Sequence, residues 1–272
     1  MHSNESVGLI AGNGRFPILF AQAAKEQGIR VVAVGMDGET DPEVASHVDV
    51  FSMVKVGQLG KMIKLFQKAS ISKAAMAGGV RKTRLFGGAR PDWTALKLLA
   101  KNAVRKDDGM LRAIAREFES KGIEIIDSTI YMPECLAPEG VLVGNDLIED
   151  ALTDLHYGYE VAQKIGELDI GQTVIVKAGA VVALEAIEGT DACIRRAGDL
   201  TEKKGGVAVK VAKPSQDMRF DVPAIGVRTI DNLAAAGITV LGIEAGRTLM
   251  LEPQKIMERA DALGITIVGL LN

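Results

Sequence analysis

Apolar and polar positions in the first half of the chain follow two alternating patterns. Continuous apolar runs that end at glycine, such as residues 7–11 and 29–35, are typical of strands buried on both faces. Between such runs, residues 58–70 repeat apolar positions with the spacing of an amphipathic helix. Strands that alternate with helices favour parallel pairing through right-handed crossovers. We therefore predict an α/β fold whose first domain, residues 1–132, is a doubly wound, Rossmann-like parallel sheet with functional loops at the carboxyl ends of its strands.

The pattern breaks at residues 133–145, which contain two prolines and two glycines without a clear period. We interpret this stretch as a linker between domains. After it come a long amphipathic helix, residues 146–168, and paired strands, residues 172–186, turned at Gly179. Further short strands and helices follow, so we predict a mixed α/β second domain over residues 146–272 that carries an acidic catalytic loop.

The composition limits the function classes. Of the 272 residues, 47% are hydrophobic and 25% are charged, so the chain can bury a sizeable core. The net charge of −3 lacks the basic footprint of a nucleic-acid-binding protein. No apolar run reaches the roughly 18 residues of a membrane-spanning helix, and the first residues lack the pattern of a signal peptide. The two cysteines, Cys135 and Cys193, have no metal-type spacing, so we expect a cytoplasmic protein.

The stretch GLIAGNGRFP, residues 8–17, runs from a predicted strand into Gly12 and Gly14. Glycines at this place let backbone N–H groups approach an anion at the start of a helix, and Asn13 adds a donor. The alternative is a plain strand-to-helix turn. A dinucleotide fingerprint needs a third glycine where this chain has Pro17, which weakens the hypothesis of a nicotinamide or flavin oxidoreductase.

A second glycine pair, Gly78 and Gly79, ends another predicted strand and is followed by Arg81, Lys82 and Arg84. Two glycine loops at strand ends, one of them flanked by cations, favour an anionic ligand. Taken alone, the basic run is also typical of a solvated surface.

Residues 210–226 form the densest polar segment and hold two carboxylates, Asp217 and Asp221, four positions apart. Its other polar residues include Lys213, Gln216 and Arg219. Carboxylate oxygens are ligands that Mg²⁺ takes, and the neighbouring cations suit phosphates. A salt-bridged surface loop is the alternative interpretation.

Polar residues also gather at two later strand ends. Glu188, Thr190 and Asp191 lie at a strand end and the start of a predicted helix, residues 190–198, and Arg247 follows Glu244. Thr190 as a helix N-cap and Asp191 as a partner of the helix dipole are the structural alternatives to a ligand site. No Ser-His-Asp or Cys-His catalytic set can be assembled from the sequence.

Several segments occur in an order that resembles the LpxI family, the UDP-2,3-diacylglucosamine pyrophosphatases of lipid A biosynthesis. These segments are GLIAGNGRFP, MAGGVRK, KDDGMLRAIAREFESKGIEI, ELDIGQTVIV, VVALEAIEGTDACIRRAG, KVAKPSQDMRFDVPAIGVRTI and GIEAGRTLML. The resemblance covers nearly the whole chain from Val7 onward. It implies a two-domain enzyme with its site in a cleft between the domains. It also implies that Mg²⁺ supports hydrolysis of UDP-2,3-diacylglucosamine to UMP and 2,3-diacylglucosamine 1-phosphate (lipid X).

The resemblance also assigns residues. The aspartate of the family's Arg-x-Asp-x-Pro segment, whose loss is associated with loss of activity, matches Asp221, and the neighbouring acid matches Asp217. The predicted catalytic residues are Asp221, Asp217, Lys213 and Arg219. The predicted metal ligands are Asp221, Asp217 and Asp191. Together with the patterns above, the predicted ligand-binding residues are Gly12, Asn13, Gly14, Gly78, Gly79, Glu188, Thr190, Asp191, Gln216 and Arg247.

The expected partners follow from the same resemblance. They are a lipid-linked UDP-sugar as substrate, a second copy of the chain in a homodimer, and peripheral contact with the cytoplasmic face of the inner membrane. Besides the oxidoreductase, the competing hypothesis is a non-catalytic nucleotide-binding module.

Overall fold

A computed structural model of the chain describes residues 5–81, 90–101, 107–214 and 216–271. Two cations of the predicted basic run, Lys82 and Arg84, lie outside the described residues.

The chain divides into two compact units. The first comprises Met1–Pro133 and the short segment Asp217–Asp221. The second comprises Glu134–Gln216 and Val222–Asn272. Each unit contains its own sheet and helices, so the predicted α/β class with two domains is confirmed.

The first unit is built on a five-stranded sheet in which every neighbouring pair is parallel. Its strands are β1 (Ser6–Ala11), β2 (Arg30–Met36), β3 (Val50–Val54), β4 (Lys73–Ala77) and β5 (Glu124–Ile126). The strand order is β3-β2-β1-β4-β5, so the chain leaves β1 toward one edge of the sheet and then returns to the other side of β1. The predicted doubly wound sheet is therefore confirmed, and its topological switch point lies between β1 and β4.

Among its described residues, the first unit has the helices α1 (Phe16–Glu26), α2 (Val44–His47), α3 (Leu59–Lys68), α4 (Trp93–Lys101) and α5 (Asp107–Glu119). The apolar positions that predicted α3 are buried, and the ring of Phe66 lies 6.2 Å from that of Phe118 on α5. The sequence did not predict α2, because four residues are too few to show a helical period.

The turns that follow β1 and β4 are joined through their backbones. The Gly12 N–H donates to the carbonyl oxygen of Ala77 at 2.8 Å, and the Asn13 N–H donates to that of Gly79 at 2.8 Å. A Cβ on Gly12 would lie 2.5 Å from the carbonyl carbon and oxygen of Gly78, where no side chain fits. Gly12 is therefore required by the close approach of the two turns, a reason that the local sequence pattern did not reveal.

The short segment Asp217–Asp221 belongs to the first unit, whereas the sequence led us to expect the acidic loop in the second domain. Phe220 is buried in the core of the first unit, and Arg219 Nη1 lies 3.2 Å from Glu119 Oε1 on α5. One apolar side chain within a polar loop has no period, so the sequence pattern did not assign it to a core.

The second unit contains a mixed sheet. Its strands are β6 (Gly140–Val143), β7 (Thr173–Lys177), β8 (Ala180–Leu184), β9 (Val207–Lys210), β11 (Val240–Glu244) and β13 (Thr266–Leu270). They lie in the order β6-β13-β11-β9-β7-β8, with β9, β11 and β13 parallel and β6, β7 and β8 antiparallel to their neighbours. A separate parallel pair is formed by β10 (Ala224–Ile225) and β12 (Leu249–Met250). The predicted mixed α/β domain is confirmed.

The helices of the second unit are α6 (Glu149–Glu167), α7 (Thr190–Leu200), α8 (Val227–Ala235) and α9 (Pro253–Ala262). The buried Asp154 carboxylate on α6 accepts the N–H groups of Ala178 and Gly179 at 2.8 and 2.7 Å, which closes the predicted turn between β7 and β8. Strand β6 lies within the stretch that we interpreted as a linker, because four residues between glycines are too short to show the period of a strand. Among the described residues, no helix combines the length and the apolar character needed to cross a membrane.

We expect Gly12→Ala to lower the free energy of unfolding by about 1–3 kcal/mol, because the added methyl group overpacks the contact with Gly78. Gly79→Ala is the matched control, since a Cβ at that position would lie 3.6 Å from the Asn13 side chain, an ordinary contact. Urea unfolding followed by circular dichroism measures both variants. Equal stability of the two would contradict the close approach of the turns.

Candidate functional site

The turns that follow β1 and β4, called the glycine turns below, bring one set of predicted ligand residues together: Gly12, Asn13, Gly14, Gly78 and Gly79. Gly14 has a φ of +83° and open space where a Cβ would stand. The N–H groups of Gly12 and Asn13 already donate to backbone carbonyls. An anion at these turns would therefore use other donors than those two.

Glu39, which follows β2, is a functional candidate that the sequence analysis missed. Its side chain is fully buried, with 0% exposure. Its Oε2 accepts from Asn13 Nδ2 at 3.1 Å and from the Arg81 backbone N–H at 3.0 Å, and its Oε1 accepts from Arg81 Nε at 3.0 Å. Glu39 therefore connects the turn after β1 with the residue that follows the turn after β4.

A general rule could have identified Glu39. In Rossmann-like domains, an acidic residue about 20 residues beyond the glycine turn often binds the hydroxyls of a ribose. Here the carboxylate is instead directed into the protein, toward Asn13 and Arg81.

The surroundings of Glu39 keep its carboxylate charged. Burial alone raises the pKa of Glu39, but the hydrogen bonds from Arg81 and Asn13 and the positive charge of Arg81 outweigh burial. The pKa of Glu39 is therefore below its ordinary value of 4.5. At neutral pH, Glu39 and Arg81 form an ion pair beyond the carboxyl ends of β2 and β4.

The acidic segment of the first unit forms a single turn of backbone. The Asp221 N–H donates to the carbonyl oxygen of Asp217 at 3.3 Å. Arg219 donates to both carboxylate oxygens of Asp217, from Nε at 3.0 Å and from Nη2 at 2.8 Å. The hydrogen bond from Arg219 holds the pKa of Asp217 below its ordinary value. The predicted residues Asp217, Arg219 and Asp221 thus lie together, with Asp217 ionised and Arg219 fixed in position.

Lys213, Gln216 and Arg247 form a second predicted set, in the second unit. Lys213 Nζ lies 2.6 Å from Asp169 Oδ1, and the Lys213 backbone N–H donates to Gln216 Oε1 at 2.8 Å. Arg247 Nη2 lies 3.4 Å from the Lys213 carbonyl oxygen. Asp169, which the sequence analysis did not identify, therefore fixes the ammonium group of Lys213.

Arg247 is in turn held by Glu244, at the end of β11. Glu244 is only 1% exposed, and its Oε1 lies 3.1 Å from Arg247 Nη1. The other oxygen, Oε2, accepts the backbone N–H of Ala212 at 2.7 Å. A buried carboxylate needs such partners, so Glu244 stabilises both the cation and the loop that carries Lys213.

A third predicted set lines an open cavity of about 360 Å³ in the second unit. Its lining residues are Glu188, Gly189, Thr190, Asp191, Lys210, Ala224, Arg228 and Thr229. Thr190 Oγ1 donates to Glu185 Oε1 at 3.1 Å and accepts from Lys210 Nζ at 3.2 Å. Lys210 is only 7% exposed and also donates to the Ala224 carbonyl oxygen at 3.0 Å. The cavity therefore has a nearly buried ammonium group in its wall.

The carboxylates of this cavity are paired with arginines. Glu188 Oε1 lies 2.6 Å from Arg196 Nη2, and Asp191 Oδ2 lies 2.7 Å from Arg228 Nη2. The hydrogen bond from Arg196 lowers the pKa of Glu188. The cavity thus combines acidic and basic groups in fixed pairs.

The interpretation of Thr190 as a helix N-cap is wrong. The N-cap of α7 is Gly189, whose φ is +81°. The Thr190 hydroxyl bonds instead to Glu185 and Lys210, because both groups face it within the unit.

The predicted metal ligands are divided between the units, with Asp217 and Asp221 in the first and Asp191 in the second. In the part of the chain that the structure describes, no three His, Cys, Asp or Glu side chains are grouped to hold a metal ion. Mg²⁺ usually takes one or two carboxylates and completes its shell with waters and substrate phosphates. Asp217 and Asp221 lie in one turn of backbone and carry oxygen donors of the kind that Mg²⁺ takes.

Comparison with known proteins matches the chain to two family models. The LpxI N-terminal domain matches residues 6–135, and the LpxI C-terminal domain matches residues 138–268. A curated relative is the UDP-2,3-diacylglucosamine pyrophosphatase LpxI of Caulobacter vibrioides, which is 35% identical over 273 residues. That alignment covers 97% of this chain and 96% of the relative.

Solved structures are more distant. The biotin carboxylase domain of the Hydrogenobacter thermophilus 2-oxoglutarate carboxylase, with ADP, matches with a TM-score of 0.29 and 17% identity. The aligned region covers 72% of this chain and 41% of that structure. The N5-carboxyaminoimidazole synthetase of Staphylococcus aureus, with ADP, has a TM-score of 0.26 and 14% identity over 74% of this chain and 46% of that structure. The chain thus spans less than half of these structures, and such TM-scores do not establish a shared fold.

The lowered pKa of Glu39 predicts a pH dependence of stability. A carboxylate whose pKa is lower in the folded state stabilises the fold above its unfolded pKa, and this contribution is lost as the pH falls through the folded pKa. We therefore expect the wild type to lose more of its free energy of unfolding than Glu39→Gln as the pH falls below about 4.5. Urea unfolding at a series of pH values measures the two curves. A stability difference that stays constant from neutral to acidic pH would contradict the lowered pKa.

Proposed function

The chain belongs to the LpxI family, and from this membership we propose that it hydrolyses the pyrophosphate bond of UDP-2,3-diacylglucosamine. The products are UMP and 2,3-diacylglucosamine 1-phosphate, and the reaction serves lipid A biosynthesis. The resemblance to this family that the sequence motifs indicated is confirmed.

The observation that carries the proposal is the similarity to the Caulobacter pyrophosphatase. The alignment is 35% identical and extends over 97% of this chain, so it spans both units rather than one short motif.

The proposed reaction requires charge stabilisation. A diphosphate that joins a nucleoside to a lipid sugar carries negative charge on the oxygens of both phosphates, and this charge repels an attacking nucleophile. An enzyme for this bond needs fixed donors and cations near the phosphates and a group that orients water.

The cavity of the second unit suits the sugar-phosphate end of such a substrate. Lys210 supplies a positive charge in its wall, Thr190 supplies a hydroxyl, and Arg228 lies at its exposed side. The paired carboxylates Glu188 and Asp191 have lone pairs that accept from sugar hydroxyl or amide groups. We assign the glycine turns of the first unit to bind the nucleotide end of the substrate.

We assign three cations to stabilise the negative charge that develops on the leaving phosphate: Lys213, Arg219 and Arg247. Each is held by a carboxylate, namely Asp169, Asp217 and Glu244 respectively. Cations whose positions are set before the ligand binds stabilise a transition state without a cost of reorganisation.

Asp221 is assigned to orient the attacking water or to hold the metal ion, with Asp217 beside it. Asp217 and Asp221, which share one turn of the first unit, are the proposed ligands of Mg²⁺, with waters and substrate phosphates in its other positions. When bound, Mg²⁺ acts as a Lewis acid that screens phosphate charge and lowers the pKa of bound water. Asp217 can serve as a ligand while bonded to Arg219, since each carboxylate oxygen has a second lone pair.

The lipid-linked substrate places the proposed reaction at a membrane surface. We assign the protein to peripheral contact with the cytoplasmic face of the inner membrane, and to a homodimer, as the family resemblance implies. Flotation with lipid vesicles and light scattering of the purified protein test these two assignments.

The direct test is release of UMP. Purified protein with UDP-2,3-diacylglucosamine, radiolabelled in its nucleotide, should release UMP in the presence of Mg²⁺, because the diphosphate is cleaved. Excess EDTA should stop the release, and added Mg²⁺ should restore it. Thin-layer chromatography separates the products.

The other outcomes of this assay are distinct. Tight binding of the substrate without UMP would contradict hydrolysis and favour a non-catalytic nucleotide-binding module. If EDTA does not change the release of UMP, the proposed requirement for Mg²⁺ is rejected, whereas the proposed hydrolase activity is supported.

We expect Asp221→Asn to reduce the rate of UMP release by about 10²–10⁴-fold, because the amide can neither accept a proton from water nor hold Mg²⁺ as a carboxylate does. Asp261→Asn, an exposed position on α9, makes the same chemical change outside the proposed site and serves as the control. Initial rates with equal amounts of folded protein give the comparison. Full activity of Asp221→Asn with native circular dichroism would remove Asp221 from the mechanism.

A further inference from the structure

The strand order of the first unit identifies where its ligand binds. The chain reverses direction across the sheet between β1 and β4. In open α/β sheets, ligands bind outside the carboxyl ends of the strands at this switch point. The turns that contain Gly12 and Gly78 lie at those two ends, so a ligand of this unit would contact the residues beside them.

Glu39 is not free to bind the hydroxyls of a ribose. Its side chain has 0% exposure, and both of its oxygens accept from Asn13 and Arg81. A carboxylate after β2 that recognised a dinucleotide would have to face the ligand. The carboxylate therefore acts within the protein, through the residues that it holds.

Arg81 is the residue that Glu39 holds most firmly. Its backbone N–H and its Nε both donate to Glu39, and its Nη2 donates to the Gly38 carbonyl oxygen at 2.6 Å. The guanidinium plane is thus fixed from one side. The Arg81 side chain is nevertheless 57% exposed, so a ligand can reach it.

A fixed, exposed guanidinium is suited to a phosphate. Its planar fork of N–H groups matches two phosphate oxygens, and its charge is permanent. Asn13, held by the same Glu39 oxygen, lies in the turn that leads into α1, and the N-terminus of a helix favours an anion nearby. The switch point of this unit therefore combines a guanidinium and a helix N-terminus.

We propose that Glu39 positions Arg81 at the switch point of the first unit to bind the phosphate of the nucleotide half of the substrate. This inference rests on the proposed function, which supplies a uridine nucleotide as the ligand. Arg81 contacts the phosphate, and Glu39 is a positioning residue that acts through Arg81. The first unit thus recognises the nucleotide through its phosphate. It does not use an acidic residue that binds the ribose hydroxyls.

Binding of UMP and uridine to the full chain tests the proposal. Titration calorimetry should show that the wild type binds UMP at least about tenfold more tightly than uridine, as charge-assisted hydrogen bonds to a phosphate predict. Arg81→Ala should remove most of that preference and leave uridine binding unchanged. Arg81→Lys, which keeps the charge and loses the fork, should retain part of it. Glu39→Gln should weaken UMP binding and leave uridine binding unchanged, which a general loss of stability would not do.

Arg259→Ala is the matched control, because Arg259 also donates through Nε to a carboxylate, that of Asp231 at 2.7 Å, but lies in the second unit. It should bind UMP as the wild type does. If Glu39→Gln does not fold, the two Arg81 variants still decide the question, since the Arg81 side chain is largely exposed.

Two results would overturn the proposal: Arg81→Ala that binds UMP as tightly as the wild type, or a wild type that binds UMP no better than uridine. These failures are separable from failure of the proposed function. Cleavage of the lipid substrate by a protein whose Arg81→Ala variant still binds UMP normally rejects this inference alone. A preference for UMP that depends on Arg81, in a protein that cleaves nothing, supports this inference and rejects the hydrolase.

Discussion

The turns after β1 and β4 approach so closely that only glycine fits where they touch, and the polar arrangement of the first unit follows from that contact. Gly12 and Gly78 allow the backbones to bond directly, which uses the N–H groups of Gly12 and Asn13. The same approach brings Asn13 and Arg81 to one carboxylate, that of Glu39. Close packing of the turns therefore leaves those two backbone N–H groups bonded to carbonyl oxygens, so the proposed phosphate contact falls to a side chain, that of Arg81.

Fixed cations are the corresponding feature of the second unit. Lys210 is held by Thr190 and a backbone carbonyl, Lys213 by Asp169, and Arg247 by the buried Glu244. Each partner supplies the hydrogen bonds or the charge that a buried or half-buried cation requires. These partners set the positions of the cations in the absence of a ligand, and such preorganisation is the main means by which an enzyme stabilises developing charge.

The sequence predicted most of the fold, because strands buried on both faces have continuous apolar runs and the helices between them have a clear period. It missed β6 and α2, which are too short for a period. It also did not show that Asp217–Asp221 packs with the first unit, because only the contacts of Phe220 reveal this. The site motifs were recognisable as a family pattern, and the family is confirmed. Glu39 and Asp169 could not be found in this way, since their roles depend on Arg81 and Lys213, which are more than 40 positions distant in sequence.

The most direct test of the account is a crystal structure of the protein with UMP bound. We expect the phosphate of UMP at the carboxyl ends of β1 and β4, within hydrogen-bond distance of the Arg81 guanidinium, with Glu39 still bonded to Arg81. Density for UMP only in the cavity beside Lys210 and Thr190, with nothing at the glycine turns, would contradict it.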